Sequence, residues 1–497
     1  MASPIKLNLA TFYLNFITQA VIGFFINPLL LGALGATGFG IWKSCQRFFD
    51  VATAADGGTP QALKWVLAQK SADNDDAAKQ REVGAAIAVW LIWLPILILI
   101  SVVLTYFLPS LINGLGPEES DTTRWVGVIL SANVVLTGLV SIPTSVLLGV
   151  NQGYWAMSVA TLVVIVSNMG MLAASWMGYG VPGIAFVVLA TAVLGGLATW
   201  LIARRTISWW GLRKPAKADA VRLAKFSGWL LIWSYVQRLL MSSEIILLSA
   251  LVGAVAVSDY SFTAYVAQFG LSVCLLTTSV FMPSLGRSMG MKDGTAVRSA
   301  IAQARSLNLV IAMIVGGGIL LFNRSFVVLW AGEASYMGDP INVAMVLAFV
   351  QLALIRCDAQ ILDAALKVRA RAIVGMVSTI ASLAVAALAY TLTQDILMLF
   401  AGIIVGRAIA SIAFPMLVLR LEGGISRSLV LTYAATTLVL ACCYALGEMI
   451  QADNWVALVA YAIVGGAVLA AIGLVLLPHE TRVSIMSFRK PLPRATS

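Results

Sequence analysis

The stretch from Trp125 to Ala203 reads WVGVILSANVVLTGLVSIPTSVLLGVNQGYWAMSVATLVVIVSNMGMLAASWMGYGVPGIAFVVLATAVLGGLATWLIA, without a single charged residue. A helix crossing the hydrocarbon core of a bilayer needs about 20 apolar residues. This run is far too long for one crossing. Two polar or glycine-rich breaks divide it, VNQGY at Val150 and MGYGVPG at Met177, which gives three spans. Strict alternation of polarity is absent, so the spans are helices and not barrel strands.

The rest of the chain reads the same way. It has 497 residues, 60% of them hydrophobic and 11% charged, with mean hydropathy +0.94. A soluble chain carries about a quarter charged residues. Lipid must therefore be part of the solvent. Before Trp125 we place span one near 9–34, a tight LGATG turn at Leu34, span two to about Leu67 and span three over about 83–108. After Ala203 come eight more: about 226–252, 260–285, 307–330, 341–366, a span ending near Thr391, 396–419, 429–446 and 455–477.

Loop charges test this count. The net charge is +10. In a soluble protein such a balance suggests nucleic acid, but here the cations lie in short loops between spans, where the positive-inside rule accounts for them. With a cytoplasmic N-terminus, the inner loops hold the Arg204–Lys225 cluster, Arg305, Lys367, Arg369, Arg371 and Arg420, while the outer loops hold only Arg124 and Arg324 as positives beside Glu118, Glu119, Asp121, Glu333 and Asp339. One missed span would scramble that alternation. The expectation is an all-α membrane protein of about fourteen transmembrane helices with both termini cytoplasmic.

An internal repeat organises the spans. LGALGATGFGIWKSCQRF from Leu31 aligns with VGAVAVSDYSFTAYVAQF from Val252, and Pro60 and Pro283 end the second helix of each copy. Two pseudo-symmetric six-helix lobes of parallel topology are expected, plus a C-terminal helix pair. The boundaries read as residues 1–203 for the first lobe, 204–225 for a basic connector, 226–420 for the second lobe, 421–480 for helices 13 and 14, and 481–497 for a basic tail.

Five cysteines, all in apolar stretches, argue against a disulfide framework, and the lone histidine, His479, argues against a histidine-ligated metal or a histidine-based triad. The sequence contains no Walker A, HExxH or CxxC motif and no long extramembrane loop, so no enzyme is expected.

Ionisable groups inside spans are costly, about 2.5–3.5 kcal/mol each at the centre, so they mark candidate function. Lys43, Arg47 and Asp50 share one face of span two, and Asp56 follows beside Gly57, Gly58 and Pro60, where the helix should loosen. Arg238 and Glu244 lie in span seven, Arg356, Asp358 and Asp363 in span ten, and Arg407 in span twelve, where a position near the inner boundary is the plainer reading. One reading is a central cavity lined by both halves with net positive charge, suited to a phosphate or pyrophosphate. The other is internal salt bridging: Lys43 or Arg47 with Asp50, and Arg356 with Asp358 or Asp363. Trp125, Trp330 and Trp455 read as interfacial anchors.

Two further matches point to a family. NFITQAVIGFFINPLLLGALGATGFGIWK from Asn15, with Pro28 and an LGxxxfGiW turn, resembles the opening of bacterial polysaccharide flippases of the Wzx type. SIPTSVLLGVNQGYWAMSV from Ser141 is similar to their P…LxGxxqyxxA pattern, and LDAALKVRARAIVGMV from Leu362 occupies the equivalent place in the second half. These flippases belong to the multidrug/oligosaccharidyl-lipid/polysaccharide exporter superfamily. The two extra spans also occur in lipid II flippases of the MurJ type, whose arginine-rich span one is absent here.

The resemblance implies a V-shaped two-lobed bundle that moves a polyprenyl-pyrophosphate-linked oligosaccharide across the bacterial inner membrane by alternating access, for O-antigen, capsule or exopolysaccharide assembly. Lys43, Arg47, Arg238 and Arg356 would attract the head group. Asp50 and Asp363 would balance charge or bind a coupling Na⁺ or H⁺; no other cofactor is expected. Glu244 and Arg407 complete the candidate cavity set. Membrane lipids, a polysaccharide polymerase and chain-length machinery are the implied partners, with a monomer and no nucleic acid. The alternatives are an ion-coupled small-molecule or multidrug antiporter, a lipid II-type flippase, a membrane-embedded glycan polymerase and a non-transporting scaffold. An antiporter of cationic drugs predicts acidic groups in excess, and the census within spans leans basic.

Overall fold

The structure is a computed structural model that describes residues 4–56, 58–70, 75–215, 217–291, 293–422, 427–478 and 481–482. His479 and most of the basic tail lie outside the described residues. Every regular element among the described residues is helical. Thirteen helices are long and apolar enough to cross a membrane, the first of them over a 47-residue stretch, Lys6–Ala52. At 1.5 Å per residue that length is roughly twice the thickness of a hydrocarbon core, about 30 Å. This helix, α1 (Pro4–Ala52), is broken at Gly35, whose φ of 69° and ψ of 172° leave the helical region. Glycine adopts that conformation without a Cβ penalty. Counted as two arms, α1 brings the helices to the expected number. The LGATG turn thus reduces to one residue. The chain is a multi-pass membrane protein.

The molecule divides into two compact units, Met1–Ser258 and Asp259–Ser497. In the first, α1 is followed by a 3₁₀ turn (Thr53–Asp56) and α2 (Thr59–Gln69), with Gly58 left-handed between them. The loosening expected at this point of span two is therefore present. Then come α3 (Asp76–Phe107), α4 (Pro117–Gly149), α5 (Gly153–Trp176), α6 (Gly180–Thr206) and α7 (Lys217–Leu251). Helix α1 lies against α5 and α7, and α4 lies against α6 and α3. A core of small and branched residues, including Ala62, Leu63, Val83, Val89, Val146 and Leu147, joins α2, α3 and α4.

Between α6 and α7 the basic segment is tied down. Arg213 N–H donates to the Gln80 carbonyl at 3.2 Å, and Gln80 Nε2 donates to the Trp209 carbonyl at 2.9 Å. Helix α7 begins at Lys217, inside the stretch read as a connector.

The helix α8 (Ala254–Thr263) crosses from the first unit into the second. The second continues with α9 (Tyr265–Gly290), α10 (Gly294–Ala331), α11 (Asp339–Ala364), α12 (Val368–Thr393), α13 (Ile396–Glu422), α14 (Arg427–Gly447) and α15 (Trp455–Leu476). The 38-residue α10 is its spine, in contact with α9, α11, α14 and α15. Helices α12 and α13 meet backbone to backbone. A Cβ on Gly406 would sit 2.2 Å from the Ser382 Cα, and one on Gly402 would sit 2.5 Å from the Ala386 Cα. A small residue every fourth position is how helices in lipid approach closely enough to pack.

Candidate functional site

In the first unit, four of the candidate residues form one cluster, where span two loosens. The helical ladder of α1 gives way to the 3₁₀ turn after Ala52, which frees carbonyls from their usual partners. The Asp50 carbonyl is capped twice, by Thr53 Oγ1 at 2.7 Å and by Nη1 of Arg238 from α7 at 2.9 Å. Asp50 Oδ2 lies 3.6 Å from Arg47 Nη1, with the side chains 30% and 43% exposed for Arg47 and Asp50. One turn earlier, Lys43 Nζ reaches Asn27 Oδ1 at 3.3 Å and sits 5.1 Å from the centre of the Phe39 ring. An aromatic face and a neutral carbonyl hold the ammonium without cancelling its charge. Three cations and one carboxylate thus meet on half-exposed ground. Arg47 is paired to Asp50, as in the salt-bridge reading, and the cluster keeps a positive excess. Glu244, two turns along α7 from Arg238, is buried, and Ser243 Oγ donates to its Oε2 at 3.2 Å.

The second unit treats its charges differently. In the salt-bridge reading, Asp358 or Asp363 pairs with Arg356. The contacts found are instead from Arg305 and Arg371, two cations read from the sequence as inner-loop orientation signals. Arg305 Nε donates to Asp358 Oδ1 at 2.7 Å, with both side chains under a tenth exposed. Arg371, itself 1% exposed, pairs with Asp363. The sequence places the start of span nine at Leu307, whereas α10 begins at Gly294 and carries Arg305 into its interior. Arg371 lies eight residues beyond Asp363 across the α11–α12 turn, a spacing that no helical period links.

Arg356 is buried within α11, and Arg407 is fully buried in the middle of α13. The shallow inner-boundary placement considered for Arg407 is therefore corrected. It follows Gly406, where the backbones of α12 and α13 come close.

A cavity of about 810 Å³ opens between α10, α11, α13 and α14. Its walls are mostly apolar, with Arg305, Asp358 and Gln351 among the polar exceptions. No group of His, Cys, Asp and Glu among the described residues could hold a metal ion. Cys45, Cys274, Cys357 and Cys443 are buried free thiols, and Cys442 is exposed.

The sequence pattern of polysaccharide biosynthesis proteins matches residues 8–289, more than half of the chain. Among curated proteins, none matches the chain. Solved structures share its fold. A lipid II flippase MurJ in an inward closed conformation is 13% identical with a TM-score of 0.68, covering 97% of this chain and 99% of that one. An inward-facing multidrug resistance MATE family transporter of the MOP superfamily is 15% identical with a TM-score of 0.64, covering 82% and 96%. The Vibrio cholerae MATE transporter VcmN is 17% identical with a TM-score of 0.59, covering 85% and 100%. The resemblance read from the opening spans thus holds for family and fold: the chain belongs to the polysaccharide biosynthesis protein family and is built on the fold that MurJ and the MATE transporters share.

Proposed function

We propose that the protein is a flippase that carries a polyprenyl-pyrophosphate-linked oligosaccharide across the bacterial inner membrane by alternating access, for assembly of a surface polysaccharide. The observation that carries this reading is the half-exposed cluster of Lys43, Arg47 and Arg238 around Asp50, in a chain whose family makes polysaccharide. A diphosphate needs cations that are accessible yet only partly hydrated, and guanidinium groups meet it with two parallel donors. The lipid II flippase that shares the fold offers the chemical parallel of a lipid-linked head group.

In this reading Arg47 and Arg238 attract the head group, Lys43 adds a flexible point charge, and Asp50 limits repulsion when the site is empty. Arg356 is assigned a further role on the cargo's path, and Asp50 or Asp363 would take a coupling Na⁺ or H⁺. Glu244 supports the α7 segment that presents Arg238, and Arg407 braces the α12–α13 pair. No catalytic step is assigned to any residue. A polymerase and chain-length machinery would act on the product outside, with the flippase working as a monomer.

The test is to delete the protein and locate lipid-linked oligosaccharide by its access to a membrane-impermeant glycosidase. Accumulation in the inner leaflet with loss of surface glycan is the expected result. Unchanged surface glycan with new drug sensitivity would replace the proposal with an antiporter, and accumulation of peptidoglycan precursor would replace it with a lipid II flippase.

A further inference from the structure

On one side of α6, Leu194, Leu197 and Leu201 recur at helical spacing and stand exposed, while Gly196, Thr199 and Ala203 on the other side are buried. The helix is long and apolar enough to cross a membrane, so lipid covers the exposed stripe. The stripe ends at two adjacent exposed cations, Arg204 and Arg205. Leu194 precedes Arg204 by ten positions, about 15 Å of helix, which is one leaflet's share of the hydrocarbon core. Arg204 Cζ lies 5.5 Å from the centre of the Trp200 ring, and Trp200 is itself exposed. An aromatic face holds the guanidinium on the lipid side of the helix and leaves its charge intact.

The chain after α6 adds to this charge without leaving the helix end. Ile207 and Trp209 are buried in the same core as Ala203. Beyond them Leu212, Arg213 and Lys214 are exposed. Their backbone is fixed: Arg213 N–H donates to the Gln80 carbonyl, and a Cβ on Gly84 would sit 2.0 Å from the Arg213 carbonyl oxygen. The acids at the start of α3 are engaged elsewhere, Glu82 with Lys70, Asp76 with Lys79 and Asp75 with Arg81. Among the described residues no carboxylate lies within ion-pair distance of Arg204, Arg205, Arg213 or Lys214.

We propose that this face of α6 is a selective site for an anionic glycerophospholipid of the cytoplasmic leaflet. Its phosphate is held by Arg204 and Arg205, with Arg213 and Lys214 adding long-range attraction, and an acyl chain lies along Leu201, Leu197 and Leu194. The positive-inside rule sets these cations on the cytoplasmic side. Charge selects the head group: cations without carboxylates repel the choline or ethanolamine of a zwitterionic lipid and attract a net negative one. Length selects the tail: a stripe one leaflet deep matches a fatty acyl chain, whereas a polyprenyl chain is several times longer. The carbonyls at the end of α6 do not compete for the arginines. Thr206 Oγ1 donates to that of Ile202 at 2.9 Å, and Ile207 N–H to that of Ala203 at 3.0 Å. The site shares no residue with the cluster around Asp50, so the transport reading and this one fail separately.

The test is photolabelling of the full-length protein in phosphatidylcholine nanodiscs. Traces of phosphatidylglycerol or phosphatidylcholine carry the same diazirine in the acyl chain, and labelled peptides are mapped. Phosphatidylglycerol is expected to label residues 194–201 at least about fivefold more than phosphatidylcholine, the effect of one or two interfacial cations. Arg204→Gln with Arg205→Gln is expected to bring it down to the phosphatidylcholine level, with labelling by phosphatidylcholine itself unchanged, and Arg204→Lys with Arg205→Lys to keep most of the preference. Equal labelling of the wild-type protein by the two lipids would overturn the proposal. So would a preference spread evenly over the other lipid-facing helices, or one that survives the glutamine pair. Loss of the preference on adding soluble glycerol phosphate would overturn it too, by assigning the cations to a free phosphate.

Discussion

The candidate charged residues of the two units stand in opposite circumstances. In the first, Arg47, Asp50, Lys43 and Arg238 stand half-exposed around a loosened helix end, held by a 3.6 Å ion pair, an amide oxygen and a main-chain carbonyl. In the second, Arg305 and Asp358 are closed into a 2.7 Å pair between α10 and α11, and Arg371 is buried against Asp363. In a buried pair the cation already faces an anion at close range. A loosely held, partly hydrated cluster can exchange its partners for a ligand. The first arrangement therefore suits cargo and the second suits architecture.

The comparison can be broken at its buried end first. Asp358→Ala leaves Arg305 buried with its partner removed and is expected to cost about 3–5 kcal/mol, seen as a sharp loss of folded protein by thermal unfolding in detergent. Replacing both partners, Arg305→Met with Asp358→Leu, should recover most of that loss, because an apolar pair of similar volume carries no desolvation penalty. A double variant as unstable as the single one would show that the pair does more than fill space. At the exposed end, Arg47→Ala should shift stability by less than about 1 kcal/mol, since half-exposed pairs contribute little. Its effect should fall on glycan export per folded molecule.

Two turns sharpen the comparison on a smaller scale. Where α4 meets α5, Val150, Asn151 and Gln152 N–H donate to the carbonyls of Val146, Leu148 and Leu147. Where α11 meets α12, Ala365, Leu366 and Lys367 N–H donate to those of Ile361, Asp363 and Leu362. The pattern is the same residue for residue, with the third amide folded back across the second. Asn151 at φ 61° suits its left-handed position, while Leu366 at φ 58° does not. Leu366→Gly should stabilise the second unit by about 0.5–1 kcal/mol, and Asn151→Gly should do less.

The smallest expected effect is on pH. Asp293 accepts from the Ala296 and Thr295 N–H groups at the start of α10, and these bonds, Ala296 first, hold its carboxyl below the ordinary carboxylate range. Its contribution is complete at neutral pH and fades as pH falls through that lowered value. Faster amide exchange in the first turn of α10 on acidification is the expected signature.

Much of this architecture was legible because lipid imposes a coarse rule that charge placement obeys. The uncharged run from Trp125 to Ala203 became α4, α5 and α6, with breaks at Asn151 and Gly178 inside the two quoted turns. The loosening of span two announced itself in Gly57, Gly58 and Pro60. The repeat sets Gly32 against Gly253, while the residue that breaks the helix in the first copy is Gly35. Pairing was the least legible. Asp358 meets Arg305 across 53 residues of chain, and Arg238 meets the Asp50 carbonyl across 188. Hydropathy and spacing say nothing about contacts between distant helices, and Arg305 and Arg371 were absorbed by the positive-inside rule, which explains loop cations without asking where their side chains reach.

The most direct test of the account is surface-glycan export in cells carrying Arg47→Ala with Arg238→Ala, normalised to folded protein in the membrane. The account predicts a normal level of folded protein, export reduced at least about tenfold from the loss of two charge-assisted contacts, and lipid-linked oligosaccharide held in the inner leaflet. Full export at normal protein levels would contradict it and would return the cluster to the status of a helix-end support.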